Sequence, residues 1–139
     1  MKSPKIVIDT NVLICALRSN KGASYKLIEN LGIGKYDISI SVPLVFEYEA
    51  VAKRHIHYLT NEEVDKLIDY MCAIGDKRTI HYLWRPFLKD AKDDMILELA
   101  VESQSEFIIT YNSRDFRGIE KFGIKIKSPV EFLKIVGLL

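Results

Sequence analysis

The sequence predicts a single α/β/α sandwich on a mostly parallel sheet of about five strands. Short apolar runs such as Ile6-Val7-Ile8 and Phe107-Ile108-Ile109 lack alternation, as strands buried on both faces do. Stretches with helical apolar spacing separate the strands and are long enough to serve as parallel crossovers. The 139 residues, 48% apolar and 28% charged, suit one core. No Pro/Ser-rich linker, internal repeat or low-complexity tract divides residues 1–139.

The first strand, residues 6–8, ends at Asp9. Thr10 and Asn11 follow, then a helix carrying Val12, Leu13, Cys15, Ala16 and Leu17. The polar trio is suited to capping that helix. It also sits at the carboxyl end of a central strand, where open α/β sheets take their ligands. After the loop Asn20-Lys21-Gly22, residues 23–31 read as a helix with Leu27, Ile28 and Leu31 on one face, stopped by Gly32 and Gly34. Ile38-Ser39-Ile40-Ser41-Val42 alternates as a strand. Pro43 opens the next helix, residues 44–55, with Ser41 as a nearby cap.

Thr60 and Glu63 have capping-box spacing at the start of a helix that Gly75 ends. Residues 79–84 alternate as a strand closed by Arg85-Pro86. A helix beginning near Asp93 continues through Val101, and residues 107–110 form a second buried strand. A last strand covers residues 124–126, and Ser128-Pro129 starts a closing helix.

A net charge of +1 excludes the global basic field that advertises nucleic-acid binding, so any such surface is local. Cys15 and Cys72 fall within apolar helical patterns and read as buried thiols rather than a bridge. No GxxxxGK[ST] or GxGxxG occurs, which removes support for nucleotide-dependent chemistry. No cleavable leader is expected, since the first strand opens within five residues of the start, and no apolar run approaches the roughly 20 residues that span a bilayer. The expected location is cytoplasmic.

Four acids stand at strand ends or at the opening of the following helix: Asp9, Glu47, Asp93 and Asp115. Glu47 and Glu49 lie about 200° apart on a helix and cannot share a site. Glu49 has Lys53 as a favourable i+4 partner, whereas Glu47 has only Ala50 and Val51 near it and needs a partner from elsewhere. Asp93 continues the apolar stripe of its helix and Asp94 lies about 100° away. Asp90, Asp93 and Asp94 together exceed what capping needs, and Asp94 and Asp90 stay in contention for the third position.

Carboxylates gathered at one sheet edge repel one another and raise their pKa values unless a cation sits among them. Hard oxygen ligands suit Mg²⁺ or Mn²⁺, and such an ion is the equipment for phosphodiester hydrolysis. Arg54, Arg85, Lys89, Lys92, Arg114 and Arg117 are candidate phosphate ligands. Arg114 and Arg117, which flank Asp115, come first, and Phe116 between them reads as packed. His81, His55 and His57 are assigned no catalytic role.

IVIDTNVL, PLVFEYEAVAKR, DAKDDMILELAVES and FIITYNSRDF, in that order and spacing, resemble the PIN-domain nucleases, above all the VapC-like toxins of toxin–antitoxin pairs. The resemblance covers nearly the whole chain, down to the closing SPVEFL. It implies a Mg²⁺- or Mn²⁺-dependent ribonuclease, a cognate antitoxin and a homodimer. It also implies catalytic and metal-binding roles for Asp9, Glu47, Asp93 and Asp115, with Thr10, Asn11, Thr110 and Asn112 in support. Some branches of the family carry an acid where this chain has Asn112.

Two other readings compete. A PIN-fold module could bind RNA or assemble without cleaving, although such a module would gain stability by losing the acids. A haloacid-dehalogenase-type phosphatase wants a second Asp two residues after the first, where this chain has Asn11.

Overall fold

The apolar runs set the frame. A computed structural model describes residues 3–80 and 87–139. In it, β1 (Lys5–Ile8) is followed by α1 (Thr10–Arg18), α2 (Ala23–Glu29), β2 (Asp37–Ile40), α3 (Val42–His55) and α4 (Asn61–Ile74). Then come β3 (Asp76–Lys77), α5 (Ala91–Glu102), β4 (Phe107–Ile109), β5 (Lys125–Lys127) and α6 (Pro129–Ile135). Two 3-10 turns, Ser113–Phe116 and Ile119–Phe122, join β4 to β5. The sheet order is β3-β2-β1-β4-β5, and every pairing is parallel.

β1 is the central strand, and its Ile6, Val7 and Ile8 are buried, as an unalternating apolar run requires. Parallel crossovers are right-handed. The chain steps outward from β1 to β2 to β3, so α1 to α4 lie on one face. It then returns across the sheet to β4, which puts α5 on the other, packed on β1, β2 and β4. With α5 a fully apolar layer from Met95 to Leu97, the predicted sandwich is the fold observed. Among the described residues no helix is long and apolar enough to cross a membrane.

The caps predicted at Ser41, Thr60 and Ser128 form as read. Ser41 accepts a hydrogen bond from the Leu44 amide, and Thr60–Glu63 and Ser128–Glu131 close complete capping boxes. Gly32 sits at φ +85°, and a Cβ there would meet the Tyr70 hydroxyl, which donates to the Leu31 carbonyl at 2.9 Å. Glycine is therefore required at that stop.

Two expectations are corrected. The strand read at residues 79–84 is not found where it can be judged: Thr79 and Ile80 are outside any strand, and His81 to Trp84, with Arg85, lie outside the described residues. Among the described residues the outer strand beside β2 is β3, immediately after α4. Gly75 permits that abrupt turn, since a Cβ there would lie 2.8 Å from the Met71 carbonyl oxygen. Neither Asp76 nor Lys77 favours strands, so β3 arises from pairing with β2 rather than from propensity. Cys15 is exposed and Cys72 half-buried, not buried thiols. The apolar stripe of α1 runs through Val12, Leu13 and Ala16, which turns Cys15 outward.

Candidate functional site

The sheet order reverses between β1 and β4, and that is where Asp9 emerges. Its amide donates to the Ile109 carbonyl at 2.9 Å, tying the first residue past β1 to the end of β4. Asp9 occupies the N-cap position of α1 but makes no side-chain cap bond, so its carboxylate is left to face other groups. The Thr110 hydroxyl donates to Oδ2 at 2.8 Å, and the Asn11 amide donates to the same oxygen at 3.3 Å. Thr110 Oγ1 in turn accepts from the Asn112 backbone amide at 3.0 Å and from Asn11 Nδ2 at 3.4 Å. The buried Tyr48 hydroxyl donates to the Ile8 carbonyl and fixes the peptide just before Asp9.

Glu47 enters from α3. Thr10 Oγ1 donates to its Oε2 at 2.6 Å, and Lys92 Nζ lies 3.6 Å from Oε1. The partner that the sequence left open for Glu47 is thus Thr10, with Lys92 beside it. Glu49, as expected, pairs with Lys53 at 2.9 Å.

At the start of α5 the three acids divide their work. Asp90 caps the helix by accepting from the Lys92 amide at 2.9 Å. Asp94 is buried and accepts from the Leu88 and Phe87 amides at 2.8 and 3.3 Å, which fixes the incoming loop. Asp93 is left half-buried and faces the other carboxylates. Asp115 comes from the 3-10 turn after β4, and the adjacent Phe116 is packed in the core as expected.

These side chains line a cleft of about 500 Å³ holding Asp9, Glu47, Asp90, Asp93 and Asp115, against two cations among the described residues, Arg18 and Lys92. Burial pushes the Asp9 carboxyl up to about 6, with the Thr110 bond opposing and the Glu47 and Asp115 charges adding. Burial also pushes Asp93 up to about 7, helped by the charges of Asp9, Asp115, Asp90 and Glu47. Carboxylates held this way are penalised in their charged form first by burial and then by one another, and a cation relieves both.

Among the described residues no group of three or more His, Cys, Asp or Glu is gathered closely enough to hold a metal ion by those side chains alone. An all-oxygen rim of carboxylates, hydroxyls and amides around an open cleft does fit Mg²⁺ or Mn²⁺. Such ions keep several waters and need only one or two direct carboxylates.

Thr10, Asn11, Thr110 and Asn112 all fall at the site. Arg114 and Arg117 line an adjoining cavity that shares Asp93 and Asp115 with the cleft. Arg54 is exposed near the end of α3 and lines none of the cavities at the acids. Sequence reasoning missed Arg18 and Tyr48. Asn11, Cys15 and Arg18 follow i, i+4, i+7 spacing on one face of α1, a signal that finds Arg18 once Asn11 is placed. Tyr48 reads from sequence as core, and only the fold sets its hydroxyl under Ile8.

A family model described as the PIN domain matches residues 5–114. Solved structures of similar fold include VapBC2 from Rickettsia felis bound to a DNA fragment from their promoter: TM-score 0.62, 14% identity, covering 89% of this chain and 98% of that one. VapBC-1 from nontypeable Haemophilus influenzae aligns with TM-score 0.64 and 15% identity over 91% of this chain and 98% of that one. FitAB bound to the IR36 DNA fragment aligns with TM-score 0.62 and 13% identity over 89% and 94%. A sequence search of curated proteins returns no match.

Proposed function

The chain belongs to the PIN-domain family, and from that premise we propose that it is a metal-dependent endoribonuclease whose catalytic acids are Asp9, Glu47, Asp93 and Asp115. The observation that carries the reading is the convergence of these acids, from four separate segments, on one cleft at the reversal point of the sheet. Nuclease chemistry is the general activity of the family.

Asp9 and Asp93, whose carboxyls burial pushes up, would hold the ion most directly. Glu47 is oriented by Thr10, and Asp9 by Thr110 and Asn11, so the charged oxygens are set before any ligand arrives. A Mg²⁺ or Mn²⁺ bound there would supply charge neutralisation and water activation for phosphodiester hydrolysis. Arg114 and Arg117 stand beside Asp115, where a phosphate backbone entering the cleft would meet them. Arg54, away from the cavities at the acids, is the weakest of the three RNA ligands.

The VapBC and FitAB complexes support the further reading that the protein is the toxin of a toxin–antitoxin pair with a cognate antitoxin. That it is held inactive by this partner and works as a cytoplasmic homodimer rests on the resemblance alone. A non-cleaving module would have no use for carboxylates held at such cost.

The deciding experiment incubates a mixed single-stranded and structured RNA pool with Mg²⁺ or Mn²⁺. Cleavage by the wild type, abolished by EDTA and by Asp9→Asn or Asp93→Asn, is the expected result. Cleavage that persists in both variants would move the active site elsewhere.

A further inference from the structure

Beside the acidic cleft lies a second cavity of about 560 Å³, and Arg18 and Ser19 line both. Its walls are the last turn of α1, the loop at Asn20 and Lys21, Tyr25 of α2, and the loop between α3 and α4 at Tyr58. Its chemistry is the reverse of its neighbour's. Its described lining carries two cations, Arg18 and Lys21, two tyrosines and no carboxylate. Tyr58 is 63% exposed and Tyr25 37% exposed. The Tyr58 ring, held this far out of the core, adds little apolar burial to the fold.

We propose that this cavity is a stacking subsite for a base of single-stranded RNA, with Lys21 on an adjoining phosphate. The proposal rests on the nuclease reading and names the form of RNA that it takes. A strand crossing the acids from the Arg114 and Arg117 side continues past Arg18 into this cavity. Proteins that hold unpaired strands combine a cationic track with aromatic faces on which bases stack, and the stacking tolerates any sequence. In a duplex the bases already stack on one another, so the rings select unpaired RNA. An acidic peptide would use the two cations but not the exposed rings, which favours the nucleic acid.

The test measures binding of a labelled single-stranded RNA pool of random sequence to the Asp93→Asn protein in Mg²⁺, with RNA integrity checked on gels. Tyr58→Ala is expected to weaken binding by roughly five- to a hundredfold, and Tyr58→Phe to leave it within about twofold. Lys21→Ala is expected to reduce the slope of log affinity against log salt by about 0.7. Tyr25→Ala is expected to act in the same direction as Tyr58→Ala.

If RNA binds and none of these substitutions changes its affinity or salt slope, the subsite is overturned while the nuclease stands, even if the same rings prove to hold a protein partner. If the wild type neither binds nor cleaves RNA, the nuclease reading falls and takes the subsite with it. Should an alanine variant fail to fold by thermal melting, the salt slope of Lys21→Ala, at an exposed loop position, carries the test.

Discussion

The two edges of the sheet carry carboxylates in opposite circumstances. At the amino edge, Asp76 of β3 accepts from Lys5 Nζ at 2.6 Å and from Arg78 Nε at 3.0 Å to each oxygen. The Arg78 hydrogen bond is the main reason that its carboxyl is held below the usual range. At the carboxyl edge, Asp9 and Asp93 are pushed up to about 6 and about 7, mainly by burial. There, among the described residues, the acids outnumber the cations that line the cleft. One edge is finished within the chain, and on the proposed function the other is finished by a cation. That contrast separates a structural carboxylate from a working one more sharply than residue type does.

The largest expected effect is on catalysis. Asp9→Asn and Asp93→Asn should each lower metal-dependent RNA cleavage by at least about a hundredfold. In EDTA the same variants should melt no lower than the wild type, because each removes a repelled charge; a clear loss of melting temperature without metal would break the comparison. Next come the hydroxyls that orient the acids. Thr110→Val and Thr10→Val should weaken Mg²⁺ or Mn²⁺ binding by roughly 10- to 100-fold, readable by titration calorimetry.

The pH dependence has opposite signs at the two edges. For Asp9 and Asp93 the folded pKa lies above the unfolded value of 3.8. The folded state therefore holds protons that the unfolded state has released between about pH 4 and pH 7, and the metal-free protein should lose stability as pH rises through that window. Denaturant titrations in EDTA should show this fall. It should flatten in Asp93→Asn, and added Mg²⁺ should reverse it by binding the folded state.

Asp76 behaves conversely: its lowered pKa contributes stability above pH 3.8 that is lost as pH falls below it. Asp76→Asn should be the smallest change, about 1 kcal/mol or less at neutral pH for a partly exposed ion pair, and smaller still in high salt. An Asp76→Asn variant that instead lost nuclease activity would show that the two edges are not independent.

The strands, the crossovers and their caps were legible because buried runs, helical spacing and capping residues are local patterns, and Ser41, Thr60 and Ser128 act where the pattern puts them. β3 was not legible, since Asp76 and Lys77 become a strand only by pairing with β2. Asp9, Glu47, Asp93 and Asp115 could be picked out from their places at element ends, and the resemblance to a known family sharpened the choice.

Sequence by itself determined which residues could meet at the carboxyl edge, because a parallel sheet brings all its strand ends to one side. Only the tertiary structure decided how Asp90, Asp93 and Asp94 divide. Asp94 is consumed by the Phe87 and Leu88 amides and Asp90 by the helix it caps, and Asp93 is left to face Asp9. The same holds for Arg18 and Tyr58, separated in sequence but lining one cavity. Spacing along a chain fixes which face of an element a residue occupies. What stands opposite that face depends on long-range packing, which no local pattern contains.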